Sequence, residues 1–401
     1  MQRLFFRLIG VALVIAACGC GRSVPGVPID PVPGKVPEPY RVIYRELESD
    51  LSLLNPILAA PWGRKSGPTA FGVELLVANR NPGENLLNEQ VLHATSLTLD
   101  RLKQIGVKNV SLSIQYPILT RRFPETPAFL EFYRTIAAEV RQRGLLLVVE
   151  LGTMSGAPEV SRLPAGYSGL TREHFNAGLR EMAEAVIADI HPDYLTVLSE
   201  PDTQARNTGL AFSASQFAAT VTSAVRGLDP GSTWLGAGAG TWLALDYFKA
   251  LADIPELNYL DLHIYPIQLG FASTRVLKAT EAARARGKRV AIGEAWLYKI
   301  ASREFGQINP VEAFARDGYS FWQPLDERFV ATVVNLSHTI EAEFCAFSGM
   351  DLLYAYVDYT PETSRLAPAQ LMQVSRAAAA EKILAGTLSG TGERFKNLIA
   401  P

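Results

Sequence analysis

The sequence predicts an α/β protein built as a (β/α)8 TIM barrel. Three observations carry that expectation. From Thr69 onward, short β-rich runs alternate eight times with longer helical patterns, which is the signature of parallel βα units. The strand runs alternate apolar and polar residues, so one face suits packing under helices and the other a barrel interior. The phosphate-binding glycine pattern of an open doubly wound sheet is missing, because Gly236-Ala-Gly-Ala-Gly240 is followed by Thr241 where the third glycine would stand. That run reads instead as a small-residue strand and turn.

The expected strands are 69–77, 108–115, 145–150, 194–199, 233–238, 258–264, 289–293 and 352–357. The helices between and after them are 87–105, 127–143, 172–190, 214–227, 243–253, 272–286, 327–347 and 368–385. Ser213 with Gln216 fits a capping box, and Asp326 precedes the seventh helix. Gly106, Gly144, Gly227 and Gly287 sit where C-cap glycines close helices. In the first strand Phe71, Val73, Leu75 and Val77 oppose Gly72, Glu74 and Leu76. In the second, Val110, Leu112 and Ile114 oppose Ser111, Ser113 and Gln115. In the sixth, Leu260, Leu262 and Ile264 oppose Asp261, His263 and Tyr265. Polar groups inside a barrel are costly unless hydrogen-bonded, so such rows predict a functional pocket at the strand ends.

The chain ahead of the barrel reads as an address and a spacer. Arg3 and Arg7 precede an apolar run, Leu8 to Ala17, which is too short for a membrane span but suits a secretory signal. Ile15-Ala16-Ala17-Cys18 resembles a bacterial lipobox, and that resemblance implies that Cys18 is lipidated and becomes the first residue. Removing residues 1–17 leaves 36 Lys+Arg against 40 Asp+Glu, a net charge of −4. Residues 18–40 are proline-rich and read as a semi-rigid tether. Residues 41–68 read as an extension packing on the barrel, with a short helix at 42–54 marked by Ile43, Leu47 and Leu51. The expected barrel domain is 69–401, and the expected location is extracytoplasmic, tethered to a bacterial membrane.

Composition narrows the partners. Of 401 residues 48% are hydrophobic and 19% charged, as in a globular chain rather than a disordered one. With 38 Lys+Arg against 40 Asp+Glu, no basic excess points to nucleic acid. A monomer is expected. Three cysteines make no disulfide scaffold, and the pairing of Cys20 with Cys345 is open. Cys345 reads as a buried small hydrophobe in a helix. The five histidines show no metal-ligand spacing, so neither a metal nor another cofactor is expected.

Two glutamates stand at strand exits. Glu200 follows the fourth strand in Leu198-Ser199-Glu200-Pro201, and Glu294 follows the seventh in Gly293-Glu294-Ala295-Trp296. Glycoside hydrolysis needs two carboxyl groups flanking the scissile bond, one as acid and one as nucleophile or base. Burial and mutual repulsion can separate their proton affinities for those roles. Glu74 and Glu150, set among apolar residues in strands one and three, are rival carboxyls or ligands for sugar hydroxyls. Tryptophan adds apolar faces that suit sugar rings, and Trp296, two residues from Glu294, is the expected stacking residue.

Together, Ser199-Glu200-Pro201, His263-Ile264-Tyr265 and Gly293-Glu294 resemble the motifs of the retaining glycoside hydrolases of the cellulase/β-galactanase clan. The resemblance implies a (β/α)8 barrel with Glu200 as acid/base and Glu294 as nucleophile. It also implies that His263 and Tyr265 line the site, with Tyr265 contacting the nucleophile. Departures are visible: Ser199 replaces the clan's asparagine, Gln115-Tyr116-Pro117 stands where its strand-two arginine is not evident, and its strand-eight tryptophan is absent from the expected strand Tyr354-Ala-Tyr356-Val-Asp358. Ser199, Gln115, Glu74, Glu150 and Tyr356 are the further expected substrate contacts. Two other uses of such a barrel fit the same residues: one that binds glycans without cleaving them, and a structural surface lipoprotein.

Overall fold

The computed structural model describes residues 35–62, 68–79, 83–155, 167–265, 268 and 270–400. The signal segment, Cys18, Cys20 and most of the tether lie outside the described residues. Among the described residues no helix is long and apolar enough to cross a membrane.

Eight parallel strands close in sequence order into one barrel, as the alternation predicted. They are β1 (Ala70–Glu74), β2 (Asn109–Tyr116), β3 (Leu146–Thr153), β4 (Tyr194–Thr196), β5 (Trp234–Gly240), β6 (Tyr259–Ile264), β7 (Arg289–Ala295) and β8 (Phe344–Phe347). The first five full-length helices, α1 to α5, are Arg41–Trp62, Glu89–Gln104, Thr126–Gln142, Arg172–Ala185 and Ala214–Val225. The next five, α6 to α10, are Leu245–Ala252, Val276–Arg284, Gln323–Thr339, Pro368–Ala385 and Gly390–Ile399. Further helices lie within the loops at Leu76–Asn79, Pro201–Thr208 and Pro310–Arg316.

Period-2 alternation sorts the strands as expected. Val110, Leu112 and Ile114 are fully buried between sheet and helices, while Ser111, Ser113 and Gln115 line a cavity inside the barrel mouth. The capping box at Ser213 and Gln216 forms at the start of α5. The N-terminal half of the barrel is plugged by an apolar layer of Val148, Tyr259, Ala291 and Phe344. Tyr194 packs on that plug, 4.8 Å from Phe344 ring to ring. Gly236 makes the layer possible: a Cβ there would lie 2.2 Å from the Tyr259 ring. Above the plug the inward residues turn polar.

The eighth unit departs from the expectation. The strand is 344–347, not 352–357, and the preceding helix ends at Thr339, not 347. The apolar period of α8 runs on through Ile340 and Phe344 with no glycine or proline to stop it. The turn is made instead by Glu341 in a left-handed conformation, φ 49°. Cys345 is buried, but in β8 rather than in a helix. The first strand also stops early, at Glu74, where a helical turn takes over.

The expected 42–54 helix extends over Arg41–Trp62. Tyr44 stacks on Trp322 at 5.8 Å, and Leu47, Leu51 and Leu54 are buried against the barrel. Trp322 is fully buried core.

Candidate active site

The barrel's C-terminal end gathers carboxyl groups from several strands. Glu74 ends β1, and Glu150 lies in β3 opposite Ser113 of β2. His263 of β6 is in register with Glu294 of β7. Glu200 follows β4 in a left-handed conformation, φ 46° and ψ 69°, just before the Pro201–Thr208 helix. A non-glycine residue held there is strained, and such strain concentrates at functional positions.

His263, 1% exposed, is the hub. Its Nδ1 lies 3.0 Å from Glu200 Oε1 and 3.4 Å from Glu294 Oε2. Its Nε2 lies 3.4 Å from Glu150 Oε1 and 3.8 Å from Asp261 Oδ2. Burial disfavours the imidazolium, but Glu150, Asp261 and Glu200 outweigh it and hold the His263 pKa well above the usual histidine range.

Each carboxylate has further partners. Glu200 Oε2 accepts from Thr203 Oγ1 at 2.7 Å, and Glu294 Oε1 accepts from Ser348 Oγ at 2.7 Å. Ser199 donates to Glu150. Asp261 accepts from the Gly293 N–H at 2.6 Å and from Thr196 Oγ1 at 2.6 Å. Gly293 is required there, since a Cβ would lie 2.3 Å from both Asp261 oxygens. The Tyr265 hydroxyl is within hydrogen-bonding reach of both Glu200 and Glu294.

These environments separate the two glutamates. Burial would raise the Glu200 pKa, but hydrogen bonds from His263, Thr203 and Tyr265 reverse this and hold it below the ordinary carboxylate value. Glu294 is pushed well above that value by burial and by Glu74, Glu200 and Glu150, against the pull of His263. Burial, with Asp261 and Glu200 nearby, pushes Glu150 up to about 7, although His263 and Ser199 oppose it. These surroundings favour the protonated form of Glu294 and the ionised form of Glu200 beside His263.

One oxygen of Glu200, one of Glu294 and a nitrogen of His263 lie within 4.8 Å of one another, as do donor atoms of Glu150, Asp261 and His263. Such sets have the chemistry of a divalent-metal site. Here several of those groups are engaged within the protein: Asp261 by the Gly293 N–H and the Thr196 hydroxyl, Glu150 by Ser199, and His263 Nδ1 by Glu200.

A cavity of about 170 Å³ opens beside this cluster, lined by Glu74, Ser111, Leu112, Ser113, Gln115, Glu150, Gly293 and Glu294. An apolar cavity of about 150 Å³ holds benzene, so the space suits one six-membered ring. Gln115 is buried and donates to Ser113 Oγ at 2.7 Å.

Of the expected contacts, Glu200, Glu294, His263, Tyr265, Ser199, Glu150, Glu74 and Gln115 thus meet at one end of the barrel. Two others do not. Tyr356 lies beyond β8, where its hydroxyl donates to Asp326 and pairs with Thr391; it was drawn in by placing the eighth strand too late. Trp296 is only 5% exposed. Its ring stacks on Phe314 at 4.8 Å and its Nε1 donates to Asp317, so no face is open to a sugar. Sequence reasoning missed Thr203, Ser348 and Trp242. Ser348 follows the true eighth strand directly, so correct placement of that strand would have exposed it.

No family model and no curated protein matches the chain. Among solved structures it is similar to the exo-β-1,4-mannosidase Op5Man5 from Opitutaceae bacterium strain TAV5, with 15% identity and a TM-score of 0.52. That match covers 82% of this chain and 59% of the mannosidase, so the chain spans less than two thirds of that protein. It also resembles the virulence factor SghA from Agrobacterium tumefaciens, at 13% identity and TM-score 0.48, over 86% of this chain and 99% of that one. A family 1 β-glucosidase from Thermotoga maritima follows at 11% identity and TM-score 0.43, over 71% and 88%. At these identities the likeness to the mannosidase establishes the shared barrel fold.

Proposed function

We propose that the protein is a glycoside hydrolase that cleaves O-glycosidic bonds of an oligo- or polysaccharide by double displacement. The observation that carries this reading is the approach of Glu200 and Glu294 to within 4.8 Å at the C-terminal end of the barrel. Retaining enzymes place their carboxyl groups about 5–5.5 Å apart, whereas inverting ones leave about 6.5–9.5 Å for a water.

In the proposed reaction Glu294 attacks the anomeric carbon as Glu200 protonates the departing oxygen. A glycosyl ester forms on Glu294 and the leaving group departs neutral. Glu200, now a carboxylate, takes a proton from water, which opens the ester and releases the sugar with retained configuration. The reactive form has the proton on Glu200, against the bias that these surroundings impose. Tyr265, within reach of both carboxyls, offers the path for that transfer, and Ser348 stabilises the Glu294 carboxylate. Glu74, Glu150 and Gln115, which line the cavity, are the proposed contacts to sugar hydroxyls, with Ser199 and His263 holding Glu150 and Glu200 from behind. Cys18 is the proposed lipid attachment, which would hold the barrel outside the cytoplasm on a membrane.

The raised proton affinity of Glu294 favours a second reading, a barrel that binds glycans without turnover. The test is a panel of aryl glycosides and polysaccharides, β-mannosides included, with wild type and Glu294→Gln. The hydrolase reading expects wild-type turnover that falls by about 10³-fold or more in the variant. Glycan binding by both proteins with turnover by neither would overturn it.

A further inference from the structure

Tyr265 is held as well as placed. The ring of Trp242 stacks on it at 5.2 Å and 23°. The ring of Trp296 meets it edge-on at 5.5 Å and 78°. Both indoles are themselves fixed by acids. Trp242 Nε1 donates to Asp202 Oδ2 at 2.9 Å, two residues beyond Glu200. Its ring also fills the space over Gly240, where a Cβ would lie 2.2 Å from the indole. Trp296 Nε1 donates to Asp317 Oδ2, and Asp317 Oδ1 lies 2.8 Å from Lys299 Nζ.

Lys299 is completely buried and also lies 2.7 Å from Asp326 Oδ1. Asp326 in turn accepts from the Tyr356 hydroxyl at 3.0 Å, and that hydroxyl lies 2.7 Å from Thr391 of α10. An ammonium between two carboxylates in the interior is weak evidence for a stability role, because well-packed apolar groups often do as well. What this triad does fix is direction. With Oδ1 held by Lys299, Asp317 presents Oδ2 to the indole, and the indole edge presses on Tyr265.

We propose that Trp242 and Trp296 are positioning residues that clamp Tyr265 against Glu200 and Glu294, the second anchored through Asp317 by Lys299. The inference rests on the glycosidase reading, since positioning matters only if the proton must stand on Glu200 and leave Glu294 ionised for the reaction. The phenol must reach both of them, and a small displacement of a group in such a relay costs rate more than binding.

The experiment compares wild type, Trp296→Phe and Lys299→Met. It measures kcat and KM against pH on an activated aryl glycoside, and titrates the glutamate carboxyls by ¹³C NMR. The clamp predicts that kcat falls about tenfold or more in both variants with KM nearly unchanged. It also predicts altered ¹³C titration of Glu200 and Glu294, and restored kcat in Lys299→Arg relative to Lys299→Met. Trp296→Phe keeps a ring in place and decides the question if Lys299→Met does not fold. Lowered melting temperatures with wild-type kcat and wild-type carboxyl titrations would mean a structural role only and overturn the clamp. If wild type cleaves no glycoside the hydrolase reading fails, while the titrations still decide whether the clamp sets the two carboxyls.

Discussion

At the scale of single residues, the site is a problem of too many acids around one base. Glu74, Glu150, Glu200, Glu294 and Asp261 converge on His263 and on each other. What distinguishes them is who donates to whom. Ser348 gives Glu294 a hydroxyl donor at 2.7 Å, which favours its ionised form, the one the proposed attack requires. Ser348→Ala removes that donor, worth about 1.5–3 kcal/mol to a charged acceptor. Turnover should fall by roughly 10–100-fold, and the acidic limb of the pH–rate profile should move to higher pH. An unmoved limb would show that Ser348 does not govern Glu294. Residue identity at strand ends was legible in the sequence: Glu200, Glu294, His263 and Tyr265 were all placed from a few local characters. The indole of Trp296 was misread because its exposure depends on Phe314 and Asp317, which come from a distant part of the same loop.

At the scale of elements, the barrel tolerates its polar layer because glycines give it room. Gly293 of β7 lets Asp261 sit at the barrel axis, bonded to the Gly293 N–H and Thr196. Gly293→Ala puts a methyl 2.3 Å from that carboxylate and should cost about 2–4 kcal/mol. Gly152→Ala in β3 is the control: its Cβ would meet nothing nearer than Gln204 at 3.8 Å. It should change stability by less than about 1 kcal/mol in denaturant unfolding. Equal costs at both positions would remove the packing argument. Seven of the eight strands could be found from alternation because helix and strand periods differ and glycines mark the boundaries. The eighth could not. The periodicity of α8 runs straight into Phe344-Cys-Ala-Phe347, and the break rests on one left-handed glutamate, Glu341, which has no sequence signature.

At the scale of the whole molecule, the buried acids set how stability depends on pH. Glu150 and Asp317 are pushed up to about 7, and Glu294 is also raised. From about 4.5, the ordinary carboxylate value, to about 7 the folded chain therefore holds more protons than the unfolded chain, and stability falls as pH rises. His263 acts with the same sign. Its folded value lies above 6.5, so its contribution is full below 6.5 and is lost as pH rises through the folded value. Glu200, which is lowered, acts oppositely but only in more acidic solution. The melting temperature should be higher at pH 5 than at pH 8, by roughly 5 °C. A melting temperature that rises over this range would contradict the assigned protonation states.

The central claim is that Glu200 is the acid/base of a double displacement through Glu294. Its most direct test is the Glu200→Ala variant given an activated aryl glycoside, with and without azide. The small anion fills the space left by the carboxylate and attacks the glycosyl ester, so the predicted product is a glycosyl azide of retained configuration, formed faster than hydrolysis without azide. Hydrolysis unaffected by azide, or a glycosyl azide of inverted configuration, would contradict it.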